Sequence, residues 1–150
     1  MRVIKFKAKC VDSGEWIAGN LVSYREDDGR DIVCIVSDHR NEIDACLEFT
    51  EVDPDTVCQF TGLCDKNGRE IYEGDIVEVY DFTSVYASKY RGVVRMYRGS
   101  WCVEYKDSIF DTVFHPMLFF DDFADRKTEV IGNVFDNRRL LKTLSNEQTV

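Results

Sequence analysis

The sequence predicts a mainly β protein with minor helix, and three observations carry that prediction. Short segments rich in β-branched and aromatic residues recur along the chain, as in Ile32-Val33-Cys34-Ile35-Val36 and Ile76-Val77-Glu78-Val79-Tyr80. Turn-forming runs punctuate them, among them Asp12-Ser13-Gly14, Asn67-Gly68, Glu73-Gly74-Asp75 and Arg98-Gly99-Ser100. Strand patterns outnumber any helical pattern that periodicity supports. The expected organisation is an N-terminal β sub-domain over residues 1–59, a second sub-domain over 60–141 and a flexible tail over 142–150. The rhythm after Gly74 is a Gly-Asp strand, a variable loop, a hairpin, an aromatic connector and a closing strand. It suits a small SH3-like or related barrel.

Taken in order, Val3 to Lys9 sets Lys5, Lys7 and Lys9 against Ile4, Phe6 and Ala8, the period of a half-buried strand with its bases outward. Glu15 to Tyr24 reads as the return strand of a hairpin, with Gly19-Asn20 as a break or bulge. Arg25 to Arg30 is a charged loop, Asp31 to Ser37 a buried strand, and Cys46 to Thr50 another strand. Asp38 to Ala45 is polar and unassigned. Val52 to Thr56 is a loop, and Val57 to Thr61 leads into the centre of the chain. Asp81 to Ser88 reads as a mobile loop. Tyr90 to Tyr97 and Trp101 to Tyr105 form the clearest hairpin. Phe110 to Phe123 is dense in aromatics, and within it Thr112 to Asp121 fits a strand or a short helix equally. Lys127 to Val134 is a closing strand, Asp136 to Leu144 a short helix, and Ser145 to Val150 a frayed tail.

A chain of 150 residues with 44% hydrophobic and 13% aromatic content builds a real core, which excludes global disorder. No run approaches the ~20 apolar residues of a membrane helix. The N-terminus lacks the apolar core of a signal peptide, so the expected location is the cytoplasm, without a membrane partner. There the six cysteines are expected to be reduced, mostly buried thiols. The net charge of −9 is uneven: residues 26–55 hold eleven acids against two bases, while 89–106 hold five bases against one acid.

The centre of the chain, Phe60 to Tyr80, carries the most specific pattern. Thr61-Gly62-Leu63 is followed by the turn Asp65-Lys66-Asn67-Gly68, in which Asn67-Gly68 suits a two-residue hairpin turn. Glu70-Ile71-Tyr72 then leads through Glu73-Gly74-Asp75 into the Ile76 strand. This order resembles the YopX family of phage and prophage proteins. Ile4-Lys5-Phe6-Lys7-Ala8 is similar to that family's opening, and Glu129 to Phe135 with Asn137 to its closing segment. Cys10 and Cys64 depart from the pattern without touching the turns. The resemblance implies a small soluble phage protein and carries over no catalytic residue.

Candidate chemistry is sparse. Cys58 and Cys64 are the closest cysteines and lack close zinc-ligand spacing, while His39 and His115 stand apart, so no metal site and no cofactor is expected. Cys102 or Cys64 with His115 lacks the local features of a nucleophile site, and no phosphate-cradling glycine loop is present. The chain is therefore read as a non-enzyme. Lys89, Arg91, Arg95 and Arg98 alternate with apolar residues beside Tyr97 and Trp101, with Arg91 and Arg95 expected to be exposed. Bases beside aromatics on a small barrel suit single-stranded nucleic acid. The same bases also suit docking on the acidic 26–55 segment, within one chain or between subunits. The first expectation is binding to protein, itself included. A nucleic-acid-binding module through 89–106 is the alternative, and an acidic decoy of a host DNA-binding protein a third.

Overall fold

The computed structural model describes residues 1–41, 44–81, 88–107, 111–117 and 126–142. The chain divides into two compact units at Gly62/Leu63, three residues beyond the expected boundary.

The first unit is built from antiparallel hairpins. Strands β1 (Phe6–Lys9) and β2 (Trp16–Arg25) pair from Phe6↔Gly19 to Lys9↔Trp16. The Gly14 amide closes their turn onto the Cys10 carbonyl at 2.9 Å. β2 runs on through Gly19-Asn20 without the expected break and pairs with β3 (Asp31–Asn41). β3 pairs with β4 (Asp44–Glu51) as far as Asn41↔Asp44. The polar stretch left unassigned by its pattern therefore holds the end of β3 and the start of β4, with residues 42–43 outside the described residues: once cross-strand pairing begins, polar residues do not end a strand. A short 3-10 turn, Pro54–Thr56, is capped by the Asp53 carboxylate. β5 (Cys58–Cys64) then returns beside β1, and β6 (Glu70–Tyr72), past the unit boundary in sequence, ends the strand order β4-β3-β2-β1-β5-β6. Ala8, Ile35 and Val52 centre the unit's core, with Phe6, Ile17, Leu21, Val33 and Val57 packed on them.

The second unit holds a five-stranded antiparallel sheet in the order β10-β9-β8-β7-β11, made of β7 (Asp75–Asp81), β8 (Ser88–Tyr97), β9 (Ser100–Asp107), β10 (Asp111–Pro116) and β11 (Arg126–Asn133). Among the described residues its end strands β10 and β11 do not pair with each other, so the sheet is open rather than the expected barrel. The sequence holds the strands of a barrel in order, but closure depends on shear and curvature that no local pattern encodes. The aromatic connector begins as strand β10; Phe110, Phe119, Phe120 and Phe123 lie outside the described residues. The expected C-terminal helix is one 3-10 turn, Arg138–Leu141, and the tail beyond Lys142 lies outside the described residues.

Cross-strand partners place side chains on a common face, so the register sorts this sheet into two faces. Val77, Val79, Val94, Val103 and Val130 share the core face with Ile71 and Met117, and Leu63, Tyr90 and Trp101 pack against them. Glu78, Arg91, Val93 and Glu104 align across β7, β8 and β9 on the opposite face.

Gly74, buried ahead of β7, has φ +78. A β-branched residue there incurs left-handed strain, so Gly74→Val is expected to destabilise the second unit by about 2 kcal/mol, read as a lowered thermal midpoint. Of the described thiols, Cys34, Cys58 and Cys102 are buried, Cys10 is half-buried and Cys64 exposed, all unbridged. Burial pushes the Cys102 thiol up.

Candidate functional site

The central motif folds into a set of carboxylate clamps. At the β5–β6 connection the Asp65 amide donates to the Arg69 carbonyl at 2.7 Å and the Gly68 amide to the Asp65 carbonyl at 3.0 Å. The turn thus has three residues, Lys66 to Gly68, with Gly68 at φ +79, rather than the two expected from Asn67-Gly68. It is a three-residue loop ending in a left-handed glycine. The Asp65 side chain decides the difference. Its Oδ1 accepts the Asn67 amide at 2.8 Å and the Arg69 amide at 2.9 Å, holding the loop open by one residue. Its Oδ2 accepts the Val130 amide at 3.0 Å, sixty-five positions away. Burial pushes the Asp65 carboxyl up, but the three amides and the Arg69 charge outweigh it and the net shift is downward.

The other motif residues act in the same way. Asp75 Oδ2 accepts the Tyr72 amide at 2.8 Å across the turn in which Glu73 lies half-buried. The Gly74 amide donates to the Val94 carbonyl, and its own carbonyl accepts the Val134 amide. Gly62, at φ +87, sits inside β5. In the closing segment the Asn137 side chain accepts the Asn133 amide, while Asn133 Oδ1 accepts the amides of Phe135 and Asp136.

The exposed chemistry lies on the polar face. Glu78, with its side chain 8% exposed, takes Lys89 Nζ at 2.8 Å on Oε1 and Arg91 Nε at 2.8 Å on Oε2. The Tyr80 hydroxyl donates to Oε1 at 2.8 Å. Burial raises the Glu78 pKa, but these donors prevail and hold it at about 2. Lys66 and Lys89 lie over the Tyr80 ring, 5.6 and 5.1 Å from its centroid, and Lys66 pairs with Glu129 at 2.8 Å. Further along, Arg95 pairs with Glu104 at 3.4 Å, Tyr97 stacks on Phe114 at 4.0 Å, and Arg98 lies over the Tyr97 ring at 5.4 Å.

The structure therefore brings Lys89, Arg91, Arg95 and Tyr97 to one face and sets Arg98 in the turn beside them. Trp101 is separated: it packs on the core face, where its indole Nε1 finds no acceptor among the described residues. Arg91 is not exposed as expected. Its side chain is 22% exposed, paired with Glu78, and donates through Nη1 to the Leu140 carbonyl at 3.4 Å. Lys89, Arg91 and Arg95 find carboxylates on neighbouring strands of their own sheet. The acids of the β2–β3 turn likewise find local guanidiniums, Arg30 for Glu26 and Asp28, and Arg25 for Asp31. Glu78, Tyr80, Glu104 and Lys66 escaped attention in the sequence because they come from other strands and a loop. The period-two spacing of Glu78 and Tyr80 is visible in the sequence, but the register joining them to β8 is not.

Lys5, just before β1, lies over Phe60, and Lys7 and Lys9 of β1 lie over Trp16. Among the described residues no group of three His, Cys, Asp or Glu side chains is arranged to hold a metal. No described helix is long and apolar enough to cross a membrane.

Residues 5–142 match the family described as YopX protein. The chain is also similar in structure to protein EF1440 from Enterococcus faecalis, with 24% identity and a TM-score of 0.51 over 94% of this chain and 99% of that one, a likeness of fold. No curated protein matches. The matched span runs from β1 to the last 3-10 turn and includes every clamp described above, so the chain belongs to the YopX protein family.

Proposed function

We propose that the chain is a non-enzymatic accessory protein of a phage or prophage, working in the bacterial cytoplasm by binding protein, itself included. One observation supports this reading above the others: the motif carboxylates Asp65 and Asp75, and Glu78 in the strand that follows, are committed to backbone amides and cations that hold the fold. The exposed side chains are recognition types: Phe49 in the first unit, and Met96 and Tyr97 in the second, with Arg98 over the Tyr97 ring. Sedimentation velocity over a concentration and salt series tests self-assembly. A weight-average mass that rises with concentration is expected, and a strict monomer at every concentration contradicts it.

Nucleic-acid binding is the second reading, favoured by the make-up of the polar face. Lys66, Lys89, Arg91, Arg95, Arg98 and Lys106 outnumber Glu78, Glu104 and Glu129 there, beside Tyr80, Tyr97 and Phe114. The net charge of −9 opposes it. Fluorescence anisotropy with labelled single- and double-stranded oligonucleotides across a salt series decides. Binding that weakens steeply with salt and falls about tenfold in Arg95→Glu/Arg98→Glu supports it; no binding at low salt retires it. Arg91 stays untouched in that variant because it holds Glu78. The third reading, an acidic decoy of a host DNA-binding protein, rests on the charge of residues 26–55.

A further inference from the structure

The polar face of the second unit's sheet holds more cations than its carboxylates engage. Among the described residues Glu78 takes Lys89 and Arg91, Glu104 takes Arg95, and Glu129 takes Lys66. Lys106, two residues beyond Glu104 on β9, shares that face, is exposed and forms no ion pair among the described residues. The Arg91 guanidinium also holds the last 3-10 turn through the Leu140 carbonyl at 3.4 Å. Arg138 and Lys142, two residues to either side of Leu140, are likewise exposed and without a described carboxylate. Extending the β8–β9 register by two residues sets Lys106 level with Arg91, so these unpaired cations share one end of the face.

The other end is the β8–β9 turn, about 20 Å from Lys106 along β9. Arg98 and Gly99 stand between the paired Tyr97 and Ser100, with φ +51 and +80. A two-residue turn with both residues left-handed favours Asn-Gly, and an arginine there is strained. Strain of this kind marks candidate functional positions. Arg98 forms no ion pair among the described residues, and its guanidinium lies over the Tyr97 ring, 5.4 Å from the centroid. Tyr97 is 38% exposed, and its ring stacks on Phe114 at 4.0 Å with 6° between the planes. The turn thus presents a ring platform, backed by Phe114 and covered by an exposed, unpaired cation.

We infer that this face is a site for a short single strand of nucleic acid, with one base stacked on Tyr97 and phosphates on Arg98 and, at the far end, on Lys106, Arg138 and Lys142. The inference rests on the nucleic-acid reading above and names the form of the ligand and its contacts. A base stacked on tyrosine is worth more than an exposed guanidinium over the same ring. The base therefore takes the place of the Arg98 guanidinium, and the released cation meets the adjoining phosphate. The span between the two ends suits a few nucleotides of extended strand. A duplex keeps the faces of its bases stacked on one another and cannot use the platform.

The test uses the full chain and three fluorescein-labelled probes read by anisotropy: an oligothymidylate, its duplex with oligoadenylate, and polyglutamate of similar length. The single strand is expected to bind about tenfold more tightly than the duplex. Tyr97→Ala is expected to weaken single-strand binding about tenfold and leave duplex binding unchanged, while Tyr97→Phe, which keeps the ring, retains it. Arg98→Asn separates the site from the fold and serves as the check if Tyr97→Ala folds poorly. It is expected to raise the thermal midpoint by relieving the turn, and yet to weaken single-strand binding. Arg138→Ala/Lys142→Ala is expected to reduce the slope of log affinity against log salt by about 1.4. Equal affinity for strand and duplex, or single-strand binding that survives both Tyr97→Ala and Arg98→Asn, overturns the inference and leaves the nucleic-acid reading standing. Binding of polyglutamate with no oligonucleotide bound assigns the face to an acidic protein segment. That result, like the absence of any binding at low salt, retires the inference and the nucleic-acid reading together.

Discussion

Asp65→Ala is expected to lower the stability of the second unit by about 3 kcal/mol. The exposed amides of Asn67 and Arg69 regain water when the carboxylate is lost, but the Val130 amide is buried in β11 and finds no substitute. Asp65→Asn is expected to do little better. One amide oxygen serves the loop, and the NH2 group then faces the Val130 donor. Urea unfolding followed by tryptophan fluorescence measures the loss. Trp16 lies in the first unit and Trp101 in the second, so single-tryptophan variants report the units separately. A midpoint that falls for Trp101 and stays for Trp16 is the expected pattern.

Glu78 has the other large effect. Glu78→Ala leaves Arg91, 22% exposed, without its carboxylate, at a cost of about 3 kcal/mol. Lys89, 46% exposed, contributes little to that figure. The pH dependence follows from the depressed pKa. Glu78 falls from an ordinary 4.5 to about 2 in the folded protein, so its stabilisation is fully present above about pH 4.5 and is lost as pH falls toward 2. Asp65 is shifted the same way and adds to the loss over the acid range. Glu78→Gln removes the titrating group, so its stability is expected to vary less with pH between about 5 and 2 than that of the natural protein.

Much of the fold was legible because it is local. The Asp12-Ser13-Gly14 and Arg98-Gly99 turns, the β8–β9 hairpin and the alternation of β1 depend on neighbours in sequence. The order of residues in the central motif was enough to point to the family. What the sequence withheld is long-range. Nothing local in Asp65-Lys66-Asn67-Gly68 announces that the first carboxylate, besides holding the loop through Oδ1, reaches the Val130 amide through Oδ2. Arg91 and Arg95 look alike by position, yet one is held against a buried glutamate and the other against a half-exposed one, because β7 and β9 contribute different partners. Trp101 lies near the basic residues in sequence, but the pleat sends it to the core face.

The central claim is that the motif carboxylates Asp65 and Asp75, and Glu78 just beyond the motif, are spent on architecture. Carboxyl-detected NMR titration of the natural protein tests it most directly. The account predicts that Glu78 titrates near 2 and Asp65 below its ordinary 3.8, with the second unit's spectrum losing dispersion as they protonate. Ordinary titration of both groups near pH 4, with the fold unchanged throughout, would contradict it and return these carboxylates to the list of groups free for chemistry.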